Sequence, residues 1–85
     1  MEGKTELYDV GEVKKEMIAT TLKEVFEALK ERGYDPINQI VGYLISGDPG
    51  YISNYKESRN KILDYDRSEI TALLLEDYLK IKWDV

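Results

Sequence analysis

The chain has no cysteine and no histidine among its 85 residues. Without cysteine there is no disulfide to brace the fold and no thiolate to serve as nucleophile or metal ligand. Without histidine the commonest general base and the commonest transition-metal ligand are missing. No apolar run approaches the ~20 residues needed to cross a bilayer. No signal-peptide pattern opens the chain, so the expected address is cytoplasmic and no membrane insertion is expected. Positive charge is in deficit: 17 acidic residues face 12 basic ones, for a net charge of −5. Such a chain is repelled by phosphate backbones, which argues against nucleic acid as a partner.

What is present is enough for one domain. A chain of this length buries only roughly 65% of its unfolded surface. Dimerisation is the available source of further buried apolar area. Residues 1–11, "MEGKTELYDVG", are polar and carry two glycines. They read as a mobile tail ahead of a single helical domain over residues 12–82.

From Glu12 to Arg32 the pattern is helical. Ile18, Leu22, Val25 and Leu29 recur at spacings of three and four, Met17, Phe26 and Ala28 widen the stripe, and lysines and glutamates fill the opposite face. Gly33 stands where a left-handed stop is needed. The stretch "GYDPINQIVGYLISGDPGY", residues 33–51, is the most distinctive in the chain. Asp35 is a good N-cap and Pro36 suits the first helical position. Ile37, Ile40, Val41, Leu44 and Ile45 follow helical rather than strand spacing. They predict a short helix over 36–46 that ends at Gly47, is apolar over most of its circumference, and serves as core and dimer contact. Asn38, Gly42 and Ser46 form a small, polar stripe that would let another backbone approach closely.

Asp48-Pro49-Gly50 is turn chemistry. A third helix is expected from an N-cap at Ser53 to about Tyr65. Asp66-Arg67-Ser68-Glu69 reads as a capping box, and the last helix follows with Ile70, Leu73, Leu74 and Tyr78 on one face and Ile81 beyond. The expected architecture is therefore all-α: a compact bundle of about four helices with a disordered N-terminal tail, forming a homodimer.

Few constellations survive as chemistry. "SGDPG" lacks the pattern and the lysine of a phosphate loop. Asp64-x-Asp66-x-Ser68 opens like a calcium loop, but that loop needs glycine and glutamate where this chain has Glu69 and Leu75. Asp35 and Asp48 are better explained as caps before proline than as a hydrolytic carboxylate pair. No catalytic residue, metal ligand or cofactor is expected. Lys56, Arg59, Lys61 and Arg67 form a local basic patch, open to two readings: solvated helix faces, or a site for anionic partners. Thr5, on the acidic tail, is open to a kinase, and a phosphate there adds about −1.5 to −2 of charge.

The run "NQIVGY" with "SGDP" downstream, followed by "SRNKI" and "DRSEI", resembles the IreB/ReoM-like family of small regulators from low-GC Gram-positive bacteria. The resemblance spans about Thr5 to Leu79. It implies a non-enzymatic, cytoplasmic, helical homodimer that is the substrate of a PASTA-domain Ser/Thr kinase and its cognate phosphatase. The phosphorylated threonine it implies is Thr5, in Thr5-Glu6-Leu7-Tyr8. The implied output is control of peptidoglycan synthesis and of the response to cell-wall stress and antibiotics. It runs through Clp-protease turnover of the UDP-N-acetylglucosamine enolpyruvyl transferase, which the unphosphorylated form promotes. Arg59 and Arg67 match family arginines implicated in that output, and Lys61 lies beside them. A basic pair of the family is replaced here by Leu63 and Asp64. The alternative reading is a dimeric protein–protein interaction module without regulation.

Overall fold

The computed structural model describes residues 10–85, and helices are the only regular elements among them. They are α1 (Val10–Glu31), α2 (Pro36–Ser46), α3 (Ser58–Ile62) and α4 (Arg67–Trp83), with short 3-10 turns at Pro49–Tyr51 and Tyr55–Glu57. α1 starts two residues before the expected Glu12.

Its end is set by local chemistry. Gly33, at φ 83°, lies in the left-handed region. There the Tyr34 N–H donates to Leu29 O at 3.0 Å and the Gly33 N–H to Lys30 O at 3.0 Å, which satisfies carbonyls the helix would otherwise leave open. α2 begins as its sequence predicts. The Asp35 carboxylate accepts from the Asn38 N–H at 3.2 Å, and Pro36 occupies the first turn. It ends at Gly47, at φ 77°, whose N–H donates to Tyr43 O at 2.8 Å. α4 carries the predicted capping box: the Asp66 N–H donates to the Glu69 carboxylate at 3.4 Å.

α1 is the spine, packed against α2 and α3. Val25 and Leu29 from α1, Ile52 from the connecting segment, Ile62 from α3 and Ile70 from α4 are wholly buried. Each such side chain contributes about 1.5–3 kcal/mol relative to exposure. The molecule is elongated, 49 × 29 × 22 Å. α4 buries Ile70 and Leu73 and then runs clear of the core, so that Leu74, Leu75, Tyr78, Ile81 and Trp83 are exposed.

Three sequence expectations are corrected. The third helix does not start at Ser53. Lys56 and Glu57 take φ of 56° and 63°, a left-handed backbone that no α-helix can pass through. α3 is therefore confined to Ser58–Ile62, and the Ser53 hydroxyl instead accepts the Tyr55 N–H at 3.2 Å. Nor is α2 central. Ile40 and Tyr43 are its buried residues and Leu44 is half-buried, but Ile37, Val41 and Ile45 are 59%, 44% and 79% exposed. Only one flank of α2 meets α1, so the rest of its apolar circumference is uncovered among the described residues. Last, the group that approaches Gly42 is a side chain, not a backbone. A Cβ at Gly42 would lie 2.5 Å from Cε1 of Tyr51. The absent side chain makes a seat for that ring, and Gln39 Nε2 donates to Tyr51 O at 3.0 Å to hold the segment there.

Candidate functional site

Two of the candidate basic residues, Arg59 and Arg67, bond the segment that leaves α2 and the end of that helix. The segment's path starts from caps. Ser46 Oγ donates to Gly42 O at 2.7 Å and accepts the Asp48 N–H at 3.0 Å. The Asp48 carboxylate then accepts the Gly50 N–H at 2.8 Å, closing the turn at Pro49–Tyr51.

Arg59 reaches back from α3 into this turn. Its Nε donates to Pro49 O at 3.1 Å and Ile52 O at 2.9 Å. Pro49 O also accepts the Ile52 N–H at 3.0 Å, so Arg59, half-buried, adds a second donor there and a donor to Ile52 O. Arg67 does the equivalent for α2: its Nη1 donates to Leu44 O at 3.1 Å, one of the open carbonyls at that helix's C-terminus. The guanidinium lies over Gly47, where a Cβ would come within 2.8 Å of Arg67 Cζ. Lys61 points to α1 and pairs with Glu24 at 3.4 Å.

The left-handed pair Lys56–Glu57 is held by a clamp on the end of α1. Tyr55 OH donates to Glu31 Oε1 at 3.0 Å, and Lys56 Nζ to Glu31 Oε2 at 3.2 Å. Arg32 lies 5.2 Å and Lys56 5.3 Å from the centroid of the Tyr55 ring. The hydrogen bond from Lys56, followed by that from Tyr55, holds the Glu31 carboxyl below its usual range, and the same bond to Glu31 raises Lys56. Ser58 is buried, and its Oγ donates to Tyr55 O at 2.8 Å. Two adjacent left-handed residues cost on the order of 1–3 kcal/mol each, so a backbone of this kind persists only where such contacts over-determine it.

The structure therefore brings Arg59 and Arg67 to one connecting segment and gives both a bonding role, while Lys61 faces Glu24. Thr5 lies outside the described residues. Sequence reasoning missed the Lys56–Glu57 strain and the Glu31 clamp. No signal for either exists within a few residues of the turn, because the clamp comes from α1. A second feature is apolar. Leu22 and Phe26 of α1, Ile37, Val41 and Leu44 of α2 and Leu74 of α4 line an open groove of about 660 Å³.

Among the described residues no three His, Cys, Asp or Glu side chains are placed to hold a metal ion. Nor is any helix among them long and apolar enough to cross a membrane. The described surface thus offers an apolar groove and a braced, strained loop, features that suit contact with another macromolecule. The family model of the IreB regulatory phosphoprotein matches residues 3–80, and the chain belongs to that family. A regulatory role and the all-helical fold accord with that membership.

Proposed function

We propose that this chain is a phosphorylation-switched adaptor. Thr5 is the input, modified by a PASTA-domain Ser/Thr kinase and reset by a cognate phosphatase. The helical domain, as a cytoplasmic homodimer, is the scaffold. The surface around Arg59, Lys61 and Arg67 is the output, through which the protein controls peptidoglycan synthesis by way of Clp-protease turnover of the enolpyruvyl transferase. The observation that carries the reading is the family match, which includes Thr5. The groove between α1, α2 and α4 supports the homodimer, because Ile37, Val41 and Leu74 are apolar, adjacent and uncovered among the described residues. The bonding of Arg59 and Arg67 gives their role a definite form: they hold the shape of the loop and present its outer face.

Incubation of the full chain with a PASTA-type kinase, followed by mass spectrometry, tests the input. Phosphate on Thr5 is expected, and its absence overturns the switch. Loss of binding to the Clp machinery or the transferase in Arg59→Ala, with the helical content intact, is the corresponding result for the output.

A further inference from the structure

We infer that the groove between α1, α2 and α4 receives the outer half of α4 from a second copy of the chain, aligned by two complementary rows of charge. The inference rests on the homodimer proposed above. It adds which element enters the groove and what sets its register.

α4 leaves the core after Leu73. Leu74, Tyr78 and Ile81 then follow at spacings of four and three, so they share one side of the helix, and they are 43%, 56% and 83% exposed. Leu74 also lines the groove. The cleft and the apolar ridge are therefore one continuous surface of one chain. A two-fold pair requires this, because each copy gives its ridge to the cleft of the other.

Charge favours the same occupant. Lys23, Glu27 and Lys30 of α1 line the groove and are exposed. Spacings of four and three put them on one face, in the order plus, minus, plus. Beside the ridge of α4 stand Asp77, Lys80 and Asp84, also exposed, at spacings of three and four and in the order minus, plus, minus. Laid alongside each other in either direction, every charge meets its opposite, and no position is out of step by more than one residue, ~1.5 Å. Glu27 meets Lys80 both ways. The ion pairs between elements of the single chain use other residues: Lys14 with Glu69, Lys15 with Glu76, Lys56 with Glu31 and Lys61 with Glu24. Among the described residues, the side chains of the six make no hydrogen bond or ion pair. The chain thus carries both an unused charge row at its cleft and the matching row on its ridge.

Sedimentation of the full chain at low salt tests the pairing. Lys80→Glu and Glu27→Lys are each expected to weaken self-association about fivefold or more, because each brings like charges together twice in a two-fold pair. The double variant restores the opposite charges and should return to within about twofold of the parent. Ile81→Ser, at a position exposed in the single chain, should abolish association and leave the helical content intact. A parent chain that stays monomeric overturns the homodimer and this docking with it. A parent that associates, while the double variant shows no rescue or Ile81→Ser associates as before, overturns the docking and leaves the homodimer standing.

Discussion

Two sets of apolar side chains in this protein have opposite fates. Val25, Leu29, Ile52, Ile62 and Ile70 are wholly buried, drawn from every helix but α2 and from the connecting segment. Ile37, Val41 and Ile45 on α2, and Leu74, Tyr78 and Ile81 on α4, are just as apolar and stand 43–83% exposed. The first set defines the fold of one chain. The second is concentrated on two neighbouring elements, which is the basis of the homodimer proposed above. The difference teaches that hydrophobicity along α2 exceeds its contact with α1: Ile40 and Tyr43 are buried, while Ile37, Val41 and Ile45 stay exposed.

Substitutions in the two sets separate these demands. The largest effect belongs to the interior. Ile52→Ala is expected to lower unfolding free energy by ~2–5 kcal/mol in urea titration, because the site cannot collapse around the lost atoms. Next comes the seat of Tyr51. Gly42→Ala should gain up to about 1 kcal/mol of helix propensity. It must also displace the ring, and a net loss of ~1 kcal/mol is expected from overpacking. In a Tyr51→Ala background the same change should become stabilising; if it costs as much there, the ring is not what the glycine accommodates.

For the outer set the expectation reverses. Val41→Glu should leave the stability of the individual chain within about 0.5 kcal/mol and yet abolish the proposed self-association in sedimentation at micromolar concentration. Unchanged association would remove α2 from the dimer contact. The smallest effect is electrostatic. Glu31 has a lowered folded-state pKa, so its clamp on Tyr55 and Lys56 contributes stability above the ordinary carboxylate value of 4.5 and loses it as pH falls through the depressed value. Because Glu31 is exposed, Glu31→Gln should only flatten the acid limb of the stability–pH curve slightly.

The legible parts of the fold are those decided by neighbours in sequence. Asp35-Pro36 starting α2, Gly33 and Gly47 ending α1 and α2, and Glu69 reaching back to Asp66 all close within about five residues. Composition and periodicity therefore sufficed to place them, and α1, α2 and α4 with them, but not the bounds of α3. The family signature was likewise legible, in "NQIVGY" and "SGDP". The candidate site was legible only as a list of charges. Nothing near Arg59 in the chain says that its Nε will satisfy Pro49 O and Ile52 O, or that Arg67 will close the end of α2 from the start of α4.

The sequence by itself thus determined α1, α2 and α4, the caps of α2 and α4, and the family, because a cap is a contest between a few adjacent backbone groups and side chains. Only the tertiary structure decided the rest. Lys56 and Glu57 are left-handed in a segment where Tyr55 and Lys56 bond Glu31 on a different helix. Ile37, Val41 and Ile45 face outward because α1 has room for one flank of α2. Both outcomes depend on which surfaces meet in space, and spacing along the chain carries no record of that.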